Sequence, residues 1–396
     1  MDEIMEKIRA EVLEQMDLSR DMEDEEIAEL IGRVASRHLK KQALSIQERL
    51  RVEQQVFNSL RKLDALQELI DDENVSEIMV NGPKNIFYEK TGKVYRANQS
   101  FSSEEKMQDI IQQIVGRHNR VVNLSNPIVD TRLADGSRVN IVLSPISLDG
   151  SAITIRKFPK QPLNMEQLIA KGAISESAAD LLRQLVRAKY SLLISGGTSS
   201  GKTTFLNALS QYIPEDERVI TIEDSAELQI QGVHNLVRLE TRNANMEGVT
   251  AITIRDLIRS ALRMRPDRII VGECRGAEAF DMLQALNTGH DGGLSTAHGN
   301  SAVDILSRLE MMVLMGMELP LSAIRQQIAS GIDIIVHLAR LSDKSRRVVE
   351  ISEVDGIMEN QIVLRPLYRL EQEGDCYELK EQAKLKHTQK LMRFNG

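Results

Sequence analysis

The chain has 396 residues, 42% of them hydrophobic and 27% charged, which is the balance of a globular protein too long for one ordinary core. The net charge of −8 is uneven: residues 1–30 carry twelve acids against three bases, and the remainder is close to neutral. With no basic surplus in the main body, 3% aromatics and no Trp, the composition argues against a nucleic-acid surface. Two distant cysteines, Cys274 and Cys376, exclude a disulfide framework or a four-cysteine zinc site. The longest apolar run, residues 311–317, is far too short to span a bilayer, and the acidic, periodic N-terminus is no secretory signal; together these predict a cytoplasmic protein.

Residues 1–59 read as a helical region. Ile4, Ile8 and Val12, then Ile27, Leu30, Ile31 and Val34, recur at three- and four-residue spacings between charges, with a break expected at the acidic residues 21–26. Residues 60–158 read as a small α+β domain. A helix is expected over 60–71, followed by strands at 77–80 and 86–89, with Asn81-Gly82-Pro83 and Thr91-Gly92 as turns. A second helix is expected over 103–117, and strands at 138–143 and 152–156 follow the Asp135-Gly136 hairpin signal. Residues 157–164, with two prolines, form the best linker.

Residues 159–396 alternate short apolar runs with helical segments. The runs at 190–195, 219–222, 268–272, 294–297 and 334–338 suit buried parallel strands, so this part reads as a doubly wound α/β domain. The basic segment 380–393 reads as a solvated tail, with a membrane-surface contact as the alternative.

The chemistry begins at residues 196–204. Gly196, Gly197, Thr198, Ser199, Ser200, Gly201, Lys202 and Thr203 complete the pattern G-x-x-x-x-G-K-[ST], and Thr204 continues the helix that the loop opens. Backbone N–H groups of a loop entering a helix can wrap a phosphate chain. Lys202 supplies charge for the β- and γ-phosphates, and the Thr203 hydroxyl can bind Mg²⁺. Three further segments carry carboxylates and imidazoles to the carboxyl ends of strands, where doubly wound sheets bind ligands. Glu223 and Asp224 end one strand, Glu273 ends another, and His290 and His298 flank a third.

An Asp just before the strand-end Glu would usually help to hold the metal and its waters, but Gly272 stands there. Either Glu223 or Asp224 is the natural substitute. Glu273 would polarise the attacking water, although a strand-end carboxylate can also serve a salt bridge with Arg275. His298 could report the γ-phosphate; His290 could equally be a packed histidine.

The order of phosphate loop, acidic box (Ile222-Glu223-Asp224), Gly-Glu-x-Arg strand end and His box resembles the secretion ATPases of type II and type IV systems. Residues 253–276 and 287–301 look most like the CpaF/TadA branch, which serves tight-adherence (Flp) pili. The resemblance spans roughly residues 60–360. It implies a homo-hexameric ring that uses ATP and Mg²⁺, with a RecA-like domain hinged to a smaller PAS-like α+β domain. It also implies that arginines of the smaller domain, at Arg132, Arg138 and Arg156, reach the phosphates. Ser199 departs from the Gly that relatives often carry, and the tetracysteine zinc element of many type II members is missing.

The expected function is therefore a motor for pilus assembly or protein secretion. It would sit peripherally at the inner face of the cytoplasmic membrane, recruited by inner-membrane platform proteins. Two readings compete. A nucleic-acid motor would share the RecA-like core with helicases, against the composition. A regulatory module that only switches on nucleotide is disfavoured by Glu273 beside a complete loop.

Overall fold

The computed structural model describes residues 2–395 except 18, 21, 41, 43, 118–120, 159–161, 243–249 and 375. The chain divides into two compact units, residues 1–160 and 161–396.

The first unit opens with three helices, α1 (Asp2–Gln15), α2 (Asp24–His38) and α3 (Ile46–Arg61). Their apolar stripes bury Ile8, Val12, Ile27, Leu30, Ile31, Val34, Val52 and Val56 in one cluster. The acids expected at a helix break serve to start a helix. Glu23 caps α2 reciprocally with Glu26, and Asp24, Glu25 and Glu26 occupy its first turn, where the helix dipole favours negative charge. Asp21 lies outside the described residues. Ser45 and Glu48 cap α3 in the same reciprocal way.

The helix expected over 60–71 is broken: α3 ends at Lys62, whose backbone turns extended, and a new short helix, α4 (Gln67–Asp71), follows. The rest of the unit is β1 (Val75–Asn81), β2 (Ile86–Lys90), β3 (Lys93–Arg96), α5 (Glu104–Gly116), β4 (Ile128–Arg132), β5 (Arg138–Val142) and β6 (Ala152–Arg156). These strands form one antiparallel sheet in the order β3-β2-β1-β6-β5-β4. One face, carrying Ile78, Val80, Val139, Ile141, Ile153 and Ile155, is buried with Met107, Ile110, Ile111 and Ile114 of α5. Period-two alternation places the intervening residues on the other face.

The second unit contains α6 (Met165–Ala170), α7 (Glu176–Arg187), β7 (Leu192–Gly196), α8 (Lys202–Ser210), β8 (Arg218–Glu223), β9 (Asn235–Glu240), α9 (Ile254–Ala261), β10 (Arg268–Cys274) and α10 (Glu278–Asn287). After these come β11 (Leu294–His298), α11 (Asp304–Gly316), α12 (Leu321–Gly331), β12 (Ile334–Arg340), β13 (Arg346–Met358), β14 (Gln361–Glu373), β15 (Cys376–Glu381) and α13 (Gln389–Asn395). The sheet order is β15-β14-β13-β12-β7-β11-β10-β8-β9. The six strands from β12 to β9 run parallel, and β13 to β15 add an antiparallel flank. Two clusters cover the two faces, one with Leu182 of α7 and Phe205 of α8, the other with Ile258, Leu283, Leu309 and Ile324 of α9 to α12. The result is a doubly wound α/β layer.

The antiparallel flank was not legible as strands. β13 and β14 meet through two register shifts, and Pro366 interrupts the second strand, so neither shows clean alternation. They join through Glu359 and Asn360, both with positive φ, a two-residue turn of the primed type without the usual Gly. The segment expected as a solvated tail is instead tied down. Backbone N–H groups of Lys386 and His387 donate to Glu353, Tyr190 Oη donates to the His387 carbonyl, and Lys390 pairs with Asp333 at 2.7 Å. No helix among the described residues is long and apolar enough to cross a membrane.

One ion pair anchors the sheet at the end away from the phosphate loop. Arg268, wholly buried at the start of β10, donates to both oxygens of Glu217 and to the Gly292 carbonyl. Removing one partner strands a buried charge. Glu217→Ala is therefore expected to lower the unfolding free energy by about 3–5 kcal/mol in urea titrations, whereas the apolar pair Glu217→Leu with Arg268→Met recovers most of it. A loss below about 1 kcal/mol would show the pair to be dispensable.

Candidate functional site

Register brings the strand ends together. Gly196 of β7 lies beside His298 of β11 on one side and Leu338 of β12 on the other, and β10 and β8 follow outward. The loop then enters α8 with Gly201 as its cap residue. Gly196 is required by close approach: a Cβ there would meet the Leu338 carbonyl at 2.4 Å and Ser200 Oγ at 2.5 Å.

Lys202 is buried, and its ammonium donates to the Gly196 carbonyl (3.1 Å), the Gly197 carbonyl (2.9 Å) and His298 Nδ1 (3.2 Å). His298 Nε2 in turn lies 2.9 Å from Glu273 Oε1. Burial and the Lys202 charge both push the His298 pKa down, against the Glu273 carboxylate that raises it, which favours the neutral ring at neutral pH. Its tautomer follows: Nδ1 accepts from Lys202, and Nε2–H donates to Glu273. The other Glu273 oxygen is held by the Arg275 guanidinium (Nε, 2.7 Å), which also approaches Asp224 at 3.9 Å. The salt bridge considered for Glu273 therefore exists, in addition to the contact with His298. His290, half-buried with Nδ1 lacking a partner among the described residues, is not part of this chain of contacts.

Glu223 and Gly272 are a matched pair. A Cβ at position 272 would meet Glu223 Cγ at 2.8 Å, so the absent side chain makes room for this carboxylate. Glu223 Oε1 accepts from the backbone N–H groups of Glu227 and Leu228, both at 2.8 Å. Its Oε2 is buried without a partner among the described residues. Asp224 is more than half exposed and accepts from Thr241 Oγ1 at 2.8 Å. Glu223 ends β8 and Thr203 lies in the first turn of α8; a carboxylate and a hydroxyl are hard oxygen donors of the kind Mg²⁺ takes.

Two residues of this site escaped the sequence reading, both on the hairpin β12–β13. His337 of β12 pairs with Ser195 in register, and its Nδ1 is 2.7 Å from Ser195 Oγ. Arg346 of β13 donates from Nε to the Ser199 carbonyl at 2.9 Å. Neither carries a local motif; only sheet register reveals them.

In the first unit, the three arginines singled out by resemblance form one row. Arg132 pairs with Arg138, Arg138 with Arg156, and Arg156 with Glu77, all directly opposite across adjacent strands.

Burial raises the Glu223 pKa to about 7, against the two backbone hydrogen bonds that lower it. Between the unfolded value of about 4.5 and about 7, the native state then holds the extra proton, so stability falls as pH rises through this window. Glu223→Gln is expected to flatten that slope, worth about 2–3 kcal/mol, in denaturation of nucleotide- and magnesium-free protein. An unchanged slope would place the proton elsewhere.

Comparisons with known proteins bear on the family and the fold. A putative conjugal transfer protein of Mycobacterium tuberculosis is 35% identical over 293 residues, covering 72% of this chain and 83% of its own. The type IV secretion system protein PtlH of Bordetella pertussis is 35% identical over 321 residues, covering 74% and 95%. Among solved structures, the pilus retraction motor PilT with bound ADP superposes with a TM-score of 0.55 at 21% identity, covering 85% and 87%. The ATPase DotB of Legionella pneumophila gives 0.54 at 22% identity, covering 74% and 80%. These two likenesses speak to the fold alone. The sequence pattern described as "Type II/IV secretion system protein" matches residues 59–389, and the chain belongs to that family.

Proposed function

We propose that this protein is an ATP-hydrolysing motor of a secretion or pilus machine. The observation that carries the reading is the continuous contact from Lys202 in a complete phosphate loop, through His298, to Glu273. Lys202 exchanges its two loop carbonyls for phosphate oxygens when nucleotide enters. Thr203 and Glu223 are the residues that would hold magnesium, which would supply positive charge to the phosphate chain. Glu273, near His298, orients the attacking water and accepts its proton once Arg275 moves aside.

In the same reading the chain works as a homo-hexamer. A RecA-like domain (159–396) is hinged to a PAS-like domain (60–158), preceded by the helical region (1–59). It works in the cytoplasm, peripherally at the inner membrane, on platform proteins of the machine. The CpaF/TadA-type branch of tight-adherence pili is its assignment within the family. That branch rests on the resemblance of residues 253–276 and 287–301 alone. The broader reading as a secretion-machine motor is supported by relatives named for type IV secretion and conjugal transfer and by a family match that reaches into both units. No observation favours the nucleic-acid motor.

Lys202→Ala is expected to abolish hydrolysis and weaken nucleotide binding. Glu273→Gln should keep binding while turnover falls by about 10²–10⁴. Turnover of Glu273→Gln near the parent rate would make Glu273 structural.

The arginine row gives a second expectation. A γ-phosphate biases one arrangement of the units only by contacting it better than the other. A hundredfold bias each way needs about 5 kcal/mol, which two or three charge-assisted hydrogen bonds of about 1.5–3 kcal/mol each can supply. Arg132→Ala with Arg156→Ala should leave a folded protein whose small-angle scattering no longer differs between ADP and a non-hydrolysable ATP analogue. A difference that survives would remove the row from the switch.

A further inference from the structure

Ser199 occupies the one position of the phosphate loop where its backbone conformation is unusual for its residue type. Its φ is +58°, in the left-handed region that disfavours any residue with a Cβ. Alternation of left- and right-handed residues is what lets successive loop N–H groups converge on one anion, so the conformation is needed. Among the described residues of the loop, Ser199 is the only residue other than glycine with a positive φ.

The Ser199 carbonyl is where Arg346 binds. Arg346 Nε donates to that oxygen at 2.9 Å, and its Cδ lies 3.6 Å from where a Cβ on Gly201 would be. The side chain therefore lies along the outside of the loop from Ser199 to Gly201. It is itself well placed. Arg346 begins β13 opposite Arg340, and the connecting turn is closed by Leu341 N to the Ser345 carbonyl (2.8 Å) and Ser345 N to Asp343 Oδ1 (2.8 Å). A hairpin closed by these two hydrogen bonds thus delivers a guanidinium to the carbonyl of a left-handed residue.

We propose that Arg346 is a positioning residue of the phosphate loop. By holding the Ser199 carbonyl, it keeps a non-glycine residue left-handed and the loop shaped for phosphate before nucleotide arrives. A loop with Gly at this position adopts the conformation without help. In this chain the hairpin replaces what the glycine would have provided. The inference rests on the nucleotide-binding reading above.

A double-mutant cycle in the full chain, read as the dissociation constant of a fluorescent ADP, tests it. Arg346→Ala is expected to weaken binding about tenfold, the scale of one left-handed residue set free. Ser199→Gly sets its own reference, and the cycle reads only what Arg346→Ala adds in each background. In the Ser199→Gly background, Arg346→Ala should lose no more than about twofold. Arg346→Lys, which keeps one donor, should fall between parent and Arg346→Ala, and thermal denaturation should show all variants folded. An equal loss from Arg346→Ala in both backgrounds would overturn the proposal, because the arginine would then touch nucleotide directly. No loss in either background would overturn it as well. Failure of the parent chain to bind the probe at all would instead defeat the nucleotide-binding reading.

Discussion

A buried ammonium must be solvated by the protein, and at Lys202 that requirement organises the site. Two loop carbonyls and His298 Nδ1 receive its protons. Accepting one of them commits the neutral His298 ring to carrying its own proton on Nε2, which faces Glu273. The charge at the start of α8 therefore sets the hydrogen-bond polarity at the end of β10. A phosphate that draws Lys202 away removes the reason for that polarity, so the chain of contacts is sensitive to what occupies the loop.

Sheet order converts this local chemistry into architecture. β11 lies between β7 and β10, so the histidine strand is the one through which loop and Glu273 can communicate. Beyond β10, Glu223 of β8 occupies the space left open by Gly272, an exchange of side-chain volume between neighbouring strands. On the other side of the loop, β12 and the antiparallel β13 bring His337 to Ser195 and Arg346 to Ser199. His298 thus contacts Lys202 from one side, His337 contacts Ser195 at the end of β7 from the other, and the hairpin's arginine contacts Ser199 of the loop.

Much of this was legible before folding, for physical reasons that differ by element. Five of the six parallel strands are largely buried and read as short apolar runs, so each of the five expected runs falls on a strand, whereas the half-exposed edge strand β9 was not legible. The loop, Glu273 and His298 were visible because their chemistry sits in a few consecutive residues at strand ends. His337 and Arg346 were not, since they lie more than a hundred residues from the loop and touch it only through register. The bulged β13 and β14, and the anchored C-terminal segment, were missed because their pattern is set by tertiary partners such as Glu353 and Asp333. The reason for Gly272 also became physical only in three dimensions, as room for Glu223.

The relay from Lys202 through His298 is the claim on which the account stands. Side-chain nitrogen NMR of the seven histidines, with His298 assigned by its loss in His298→Gln, observes it directly. In nucleotide-free protein the account predicts a neutral His298 with its proton on Nε2, and an Nδ1 resonance that shifts when ADP or a non-hydrolysable ATP analogue draws Lys202 to phosphate. A charged ring, a proton on Nδ1, or an Nδ1 signal indifferent to nucleotide would contradict it.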